Sequence, residues 1–267
     1  MASEIKERTR LLHGLRAAFD QQRLFLMYQP QVDAASGRTL GLEALMRWRA
    51  DDDRLVPPDR FIPVAEQSGL IKELGAWALR CAIDQAVSLR AAGHPLRMAV
   101  NVSMSQLLLP GFEQLVAEAL AEGGLPASAL EIEITESVAM QSPDIVLPRL
   151  AALKALGVGV AIDDFGTGYS SLSSLEKLAP DRLKIDRSFI IGLDAEGGDG
   201  IAAMIVELAR SLGVKVVAEG VETVRQQQRL QALGCHEMQG YLFAKPMPVD
   251  ELPVWLAQAA AGPGRPA

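Results

Sequence analysis

The stretch VKVVAEGVETVRQQQRLQALGCHEMQGYLF (214–243) contains one complete strand–helix–strand unit. Its first part, VKVVAEGVE (214–222), is predicted as a strand. The middle part, VRQQQRLQALG (224–234), is predicted as a helix and ends in glycine, the usual residue at a helix C-terminus. The last part, CHEMQGYLF (235–243), is predicted as a second strand. Alternation of this kind indicates an α/β fold with parallel strands.

The same alternation recurs along the whole chain, with helices predicted between nearly all of the strands. Only the first two strands are joined by a short, turn-rich link, DAASGR (33–38), which predicts an antiparallel hairpin. Eight such units predict a modified TIM (β/α)₈ barrel with an antiparallel first strand. A doubly wound open sheet is the alternative, but the sequence lacks the glycine-rich phosphate turn expected after its first strand. The predicted strands are 24–32, 39–48, 96–103, 129–137, 158–164, 181–189, 214–222 and 235–243.

Composition narrows the chemistry that this chain can perform. The net charge of −7 and the absence of a long Lys/Arg run argue against binding to polymeric nucleic acid. Two cysteines, Cys81 and Cys235, form no spaced motif and are predicted to be reduced thiols. With only His13, His94 and His236 available, a zinc site is not expected. Any metal should be a hard, oxygen-bound ion such as Mg²⁺ or Mn²⁺.

The predicted helices and strands also divide the chain into three parts. Residues 1–22 are predicted as an N-terminal linker helix that enters from something upstream, or alternatively as a helix packed on its own domain. Residues 23–258 are predicted as the barrel domain and 259–267 as a loose tail. No apolar stretch reaches the roughly 18 residues of a membrane span, and no signal-peptide pattern is present. We expect a cytoplasmic domain, and leave open its membership of a larger membrane-anchored protein.

Polar side chains share one parity near the C-terminal ends of the predicted strands. Because side chains alternate faces along a strand, Ile132 and Ile134 point one way while Glu131 and Glu133 point the other. Enzymes with this fold place their active sites at the C-terminal ends of the strands. The polar residues near those ends are Glu43, Asn101, Glu133, Asp163, Lys184, Glu219 and Gln239.

Five carboxylates, counting Asp164, would meet at this end of the barrel. Their mutual repulsion requires cations, so the pattern predicts metal ions there. Asp163 and Asp164 are adjacent, and Gly166 eases the turn that follows, so the pair can serve two neighbouring ions. Any one of these carboxylates alone is more often a helix cap or a solvated group, but the recurrence across strands favours a joint site. Glu131 lies deeper and is predicted to belong to a buried polar network.

Several short motifs follow one another along nearly the whole chain, over roughly residues 24–250. They are YQP (28–30), EALMRW (43–48), FIPVAE (61–66), NVS (101–103), EIEITES (131–137), DDFGTGYSSL (163–172), LKID (183–186), AEGVE (218–222), MQGY (238–241) and FAKPM (243–247). Together these motifs resemble the EAL-domain family of cyclic di-GMP phosphodiesterases.

The resemblance implies hydrolysis of one phosphodiester bond of cyclic di-GMP to linear 5′-pGpG by water activated with two Mg²⁺ or Mn²⁺ ions. It implies catalytic roles for Glu219, Lys184 and Asp164, with Lys184 orienting or activating the attacking water. Loop support is implied for Glu136, which braces the DFGTG loop. The implied metal ligands are Glu43, Asn101, Glu133 and Asp163 for the first ion, and Asp163, Asp164 and Glu219 for the second. The implied substrate-binding residues are Gln29, Leu45, Arg47 and Gln239, the last of which also contacts the water network.

Other functions and partners stay open from the residues. A receptor that binds cyclic di-GMP without cleaving it would carry the same motifs. A metal-dependent barrel lyase or isomerase using Lys184 as base would also need a carboxylate cluster, but does not predict EALMRW. Ca²⁺ is expected to inhibit, because it is larger and less strict in geometry than Mg²⁺. The resemblance further implies a homodimer through the 163–172 loop region and an upstream sensor or diguanylate cyclase domain.

Overall fold

A computed structural model describes residues 2–168, 172–194 and 200–260. Within these ranges the chain alternates between strands and helices, and one nine-stranded sheet forms the centre of the fold. The strands are Leu24–Asp33 (β1), Thr39–Arg49 (β2), Leu55–Val56 (β3), Arg97–Asn101 (β4), Leu130–Thr135 (β5), Gly159–Phe165 (β6), Arg182–Ile185 (β7), Lys215–Ala218 (β8) and Glu237–Met238 (β9).

Helices cover the outside of this sheet, and all of them except the first and the last lie between two strands in the chain. The α-helices are Ala2–Asp20 (α1), Pro58–Ser68 (α2), Ile71–Ala91 (α3), Met104–Leu107 (α4), Phe112–Gly123 (α5), Glu136–Gln141 (α6), Pro143–Ala155 (α7), Leu172–Leu178 (α8), Arg187–Ile191 (α9), Gly200–Leu212 (α10), Val224–Leu233 (α11) and Leu252–Ala260 (α12). Short 3₁₀ turns occur at Ala127–Ala129, Gly192–Asp194 and Val249–Glu251.

The sheet closes on itself through β1. This strand pairs antiparallel with β2 on one side and with β9 on the other, while β2 and β4 to β9 run parallel to one another. The predicted modified TIM barrel with an antiparallel first strand is therefore confirmed. The small strand β3 was not predicted. It pairs antiparallel with the end of β2, with Val56 opposite Trp48, and two residues are too few for a periodic signal.

Three predicted strands have less than half of the expected length, and the one predicted at 214–222 covers only Lys215–Ala218. The strand predicted at 181–189 ends at Ile185, because the Oδ1 atom of Asp186 accepts the backbone N–H of Ser188 at 3.0 Å and starts α9. The strand predicted at 235–243 pairs only over Glu237–Met238. The chain then turns at Gly240, where a Cβ atom would lie 2.2 Å from the backbone of Val221.

The apolar residues divide into two cores. The larger core lies between the barrel strands and the surrounding helices. The smaller core joins α1 to α2 and β2 through Leu15, Ala18, Trp48 and Phe61. Cys81 and Cys235 are free thiols, as predicted. Among the described residues, no helix has the length and apolarity that crossing a bilayer requires. The boundaries of the linker helix and of the tail, most of which lies outside the described residues, stay predictions.

Candidate functional site

The inside of the barrel is filled by two polar layers, because inward-facing positions recur every second residue along each strand. We call the set nearer the N-terminal ends of the parallel strands the lower layer, and the set nearer their C-terminal ends the upper layer. The lower layer consists of Gln31, Arg97, Glu131, Arg182 and Glu237. The upper layer consists of Gln29, Glu43, Glu133, Lys184 and Gln239. Except for Glu43 on β2, each of these residues lies two positions along the chain from a residue of the lower layer.

The lower layer is a ring of alternating charges. Arg97 lies 3.0 Å from Glu131 and 2.6 Å from Glu237, and Arg182 lies 2.5 Å from Glu131 and 3.1 Å from Glu237. Burial alone would raise the pKa of Glu237, but Arg97 and Arg182 hold this pKa below its ordinary value. The two arginines and the two glutamates neutralise one another, and together they fill the barrel interior at the N-terminal ends of the parallel strands. This arrangement agrees with the network predicted for Glu131.

Lys184 is the centre of the upper layer and is fully buried. Its Nζ atom lies 2.7 Å from Glu133, 2.8 Å from Glu219, 3.3 Å from Asp163 and 3.5 Å from Glu43. The four contacts come from β2, β5, β6 and the segment after β8. One ammonium group therefore faces four carboxylates contributed by four separate parts of the barrel.

Glu43 is held by two side-chain amides. Its Oε1 atom accepts a hydrogen bond of 2.7 Å from Asn101, and its Oε2 atom accepts one of 2.6 Å from Gln239. The same Gln239 amide also donates to Gln29 at 3.0 Å, and Gln29 donates to the carbonyl of Ala244 at 3.1 Å. These contacts join β1, β2, β4 and the segment after β9 around one carboxylate. Both oxygens of Glu43 are thereby directed into the site.

The carboxylates form two overlapping groups. Glu43, Glu133 and Asp163 form the first carboxylate group, and Asp163, Asp164 and Glu219 form the second. Within each group, one oxygen of every member lies within 4.8 Å of the others. Asp164 reaches the second group because its backbone takes a left-handed conformation, with φ at +54°, and its N–H donates to Asp163 at 2.9 Å.

The single positive charge of Lys184 does not balance the carboxylates of this cluster. Burial raises the pKa of Glu133 and of Glu219 well above the ordinary value of a glutamate. Burial and the neighbouring charge of Asp163 raise the pKa of Asp164 to about 6. The pKa of Lys184 is also raised well above its ordinary value, because the attraction of the carboxylates outweighs the effect of burial. Without a further cation, the cluster therefore favours bound protons.

Glu136 supports the loop that follows the two aspartates. Its Oε2 atom accepts the backbone N–H groups of Gly166 at 2.9 Å and of Gly168 at 3.1 Å. A Cβ atom at Gly168 would lie 3.0 Å from the Glu136 carboxyl group, so the close approach favours glycine. The loop therefore begins from a buried anchor. Residues 169–171 of the predicted DFGTGYSSL motif lie outside the described residues.

A cavity of about 440 Å³ opens beside the upper layer, between β2, β4, α2 and α3. Asn101 and Glu133 line it at the carboxylate side, and Leu45 and Arg47 line it along β2. The sequence predicted the residues on the strands but assigned no role to the helical wall, which includes Ile62, Glu66 and Ile71. The sequence feature that could have predicted this helical wall is the motif FIPVAE (61–66), which contains Ile62 and Glu66.

Comparison with known proteins places this geometry in a family. A model of the EAL domain matches residues 13–246. The chain is 44% identical over 254 residues to the bifunctional diguanylate cyclase/cyclic di-GMP phosphodiesterase MucR of Pseudomonas aeruginosa, covering 94% of this chain and 37% of that protein. It is 46% identical over 244 residues to the cyclic di-GMP phosphodiesterase NbdA of the same organism, covering 91% of this chain and 31% of that protein. The chain thus spans about a third of the length of these curated relatives.

A solved structure gives the same result. The structure described as the PaMucR phosphodiesterase in complex with c-di-GMP superposes with a TM-score of 0.88 at 45% sequence identity, covering 91% of this chain and 99% of that chain. The match of motifs, barrel topology and sequence over nearly the whole chain leads to one conclusion. The chain belongs to the EAL domain family.

Proposed function

We propose that this domain hydrolyses one phosphodiester bond of cyclic di-GMP and releases linear 5′-pGpG. Relatives more than 40% identical to this chain are named cyclic di-GMP phosphodiesterases, and one similar structure is described as a complex with c-di-GMP. The observation that carries the proposal is the pair of overlapping carboxylate groups that share Asp163 beside an open cavity. Such a pair suits two neighbouring divalent ions acting on one phosphate.

The donor set fits hard divalent cations such as Mg²⁺ or Mn²⁺. All of the clustered donors are oxygen atoms, which these ions prefer. The Oε1 atom of Glu133 is buried without a hydrogen-bond partner among the described residues, so it has a free lone pair for a cation. Glu43, Asn101, Glu133 and Asp163 would hold the first ion, with Asn101 presenting its amide oxygen once its hydrogen bond to Glu43 is released.

The second carboxylate group would hold the second ion through Asp163, Asp164 and Glu219. Bound in this way, two dications supply positive charge for the phosphoryl oxygens and increase the acidity of water. The raised pKa values of Asp164 and Glu219 indicate that these carboxylates are short of neighbouring positive charge, which a bound dication would supply.

The side chains of this domain would perform the remaining work of the reaction. Arg47 lines the cavity and suits a phosphate, because its planar guanidinium group donates two parallel hydrogen bonds. Leu45 provides apolar contact for the nucleotide along the same strand. Gln29 and Gln239 hold each other in place in the upper layer through their mutual hydrogen bond. These contacts would orient one phosphodiester of the ring towards the carboxylates.

Lys184 and Glu219 would position the attacking water, since their charged atoms lie 2.8 Å apart at the inner end of the site. In the reaction, an oxygen–phosphorus bond forms from water and the bond between phosphorus and the 3′-oxygen breaks. The departing 3′-oxygen takes up a proton, and the phosphate remains on the 5′ side. Glu136 would keep the loop after Asp164 in place during this step.

Partners beyond the substrate belong to the same proposal. The relatives are about three times longer than this chain, so we propose that it works with an upstream sensor or diguanylate cyclase domain. We further propose a cytoplasmic domain that pairs with a second copy through the 163–172 region, of which 169–171 are not described. Sedimentation of the purified chain would test the dimer.

The test of the function is incubation of the purified chain with cyclic di-GMP and Mn²⁺, with the products separated by chromatography. We expect pGpG from the wild type and none from Glu43→Ala, because Glu43 belongs to the first carboxylate group. Glu207→Ala, an exposed glutamate on α10, serves as the control and should retain turnover. Wild-type turnover by Glu43→Ala would refute the ligand assignment. Binding without cleavage over hours would favour a silent receptor, and turnover of small 2-hydroxy acids instead would favour a lyase or isomerase.

A further inference from the structure

The aliphatic stem of Arg187 lies across Gly220, the residue that follows Glu219 of the second carboxylate group. A Cβ atom at Gly220 would lie 2.3 Å from the Cγ atom of Arg187 and 2.8 Å from its Cβ and Cδ atoms. Gly220 has a φ of +66°, in the left-handed region that favours glycine. The stem of Arg187 therefore fills the space that a side chain at position 220 would occupy. It covers the backbone at Gly220, which we call the joint because glycine has high conformational freedom there.

The charged end of Arg187 is tied to the far side of the same joint. Its Nη2 atom lies 2.6 Å from Glu222 Oε1. The backbone of Glu222 is itself anchored, because its N–H donates to the side chain of Gln226 at 2.7 Å. Gln226 forms the capping box of α11 with Thr223. The guanidinium group thus connects the start of α9 to a rigid helix end.

Glu219 lies on the near side of the joint. Its backbone N–H donates to the carbonyl of Ile185 at 3.1 Å, and its carboxylate lies 2.8 Å from Lys184. Only Gly220 and Val221 separate Glu219 from the anchored Glu222. The direction of the Glu219 carboxylate therefore depends on the backbone angles at Gly220, which the stem of Arg187 covers.

We propose that Arg187 is a positioning residue for divalent-cation binding by the second carboxylate group, acting through Gly220 on the direction of Glu219. This inference rests on the proposed function, because it takes that group to bind a divalent cation. Arg187 contacts Gly220 through its stem and Glu222 through its guanidinium group. Its sequence signal was weak, since a single arginine after LKID (183–186) has no periodic or motif meaning of its own.

The sign of the effect separates this proposal from simple electrostatics. Removal of a positive charge near a cation site should tighten cation binding, since the repulsion between the two charges is lost. Removal of a positioning residue should weaken cation binding, as is usual for residues that orient metal ligands, by about tenfold or more. Both Arg187 and Glu222 are half-exposed, so a surface ion pair of this kind contributes little to folding stability.

The experiment is a titration of the full chain with Mn²⁺ in the absence of nucleotide. Binding is measured by calorimetry and by the electron paramagnetic resonance signal of free Mn²⁺. We expect one of the two Mn²⁺ sites in Arg187→Ala to lose about tenfold in affinity. Arg187→Lys keeps the stem and the charge and should stay within about twofold of the wild type. Arg210→Ala removes an exposed, ion-paired arginine from α10 and is the matched control, with unchanged affinity.

Three further readouts complete the test. Glu222→Gln breaks the ion pair from the other end without removing the stem, so its loss of affinity should be smaller than that of Arg187→Ala. Excess Mn²⁺ should restore the kcat of Arg187→Ala with cyclic di-GMP, and thermal unfolding in EDTA should match the wild type. Unchanged or tighter Mn²⁺ binding by Arg187→Ala would overturn the role of Arg187 alone. A wild-type chain that binds no Mn²⁺ would overturn both this inference and the metal basis of the proposed function.

Discussion

Replacement of Lys184 by methionine tests the charge balance of the upper layer. Methionine approximates the length of lysine but carries no charge. The ammonium group lies between 2.7 and 3.5 Å from four carboxylates. At about 3 Å and an effective dielectric constant of about 20, each contact is worth roughly 5 kcal/mol before desolvation. Because burial of the lysine cancels much of this sum, removal of one partner of such a network is expected to cost about 3–5 kcal/mol.

The assay is thermal unfolding of the metal-free chain in EDTA at pH 8. A loss of that size should lower Tm by about 10 °C, at roughly 2–4 °C per kcal/mol for a chain of this size. The loss should shrink at pH 5, because the carboxylates whose pKa values are raised bind protons there. It should also shrink in Mn²⁺, which replaces the missing charge.

The matched control is Lys154→Met, in which a partly exposed lysine loses its contact with Asp181 at 3.3 Å. This pair should contribute less than about 1 kcal/mol at either pH. If Lys184→Met unfolds at the wild-type temperature in EDTA at pH 8, the carboxylates do not depend on the lysine, and the account of the site as short of positive charge is wrong.

Four further predictions follow from the same geometry. Arg182→Met leaves two buried glutamates facing one arginine and should cost about 3–5 kcal/mol in urea unfolding; the double variant with Glu131→Gln should recover part of this, and strict additivity would contradict the ring. Since the pKa of Asp164 is raised to about 6, its contribution to the stability of the metal-free chain is present below about pH 4 and lost as the pH rises through 6. Asp164→Asn should therefore lessen the fall in urea midpoint between pH 5 and 7.5, and equal slopes would contradict the assignment. Glu136→Ala should speed amide exchange at 166 and 168 more than elsewhere, since two N–H donors lose their acceptor; uniform exchange would argue against an anchored loop. Ca²⁺ should bind and inhibit release of pGpG, because it is less strict in geometry, and full turnover in Ca²⁺ alone would refute this.

The two polar layers inside the barrel differ in how their charges are balanced. The lower layer neutralises its own charges, with Glu131 and Glu237 each facing two arginines. In the upper layer, Lys184 alone faces four carboxylates, so this end of the barrel stays short of positive charge. The lower layer therefore closes the barrel without any ligand, whereas the upper layer gains most from a bound cation. The two layers are only two residues apart along the strands that contribute to both.

Periodic features of this chain were predictable from the sequence alone. Strand–helix alternation and the short link at 33–38 predicted the barrel and its antiparallel strand, because hydrogen-bonded strands and amphipathic helices leave local patterns. The two-residue period of a strand also predicted that Glu131 and Glu133 face inwards at different depths. The strand-end positions predicted which carboxylates would approach one another, while the roles of these residues, the domain boundaries and the dimer remain predictions.

Contacts between distant segments were decided only by the tertiary structure. The pairing of Arg97 with Glu237 joins residues 140 positions apart, and no local pattern carries that distance. The left-handed backbone of Asp164 and the stem of Arg187 over Gly220 likewise depend on neighbours from other strands. The physical reason is that side-chain direction along a strand is a local property, whereas charge compensation and backbone cover depend on which strands become neighbours when the sheet closes.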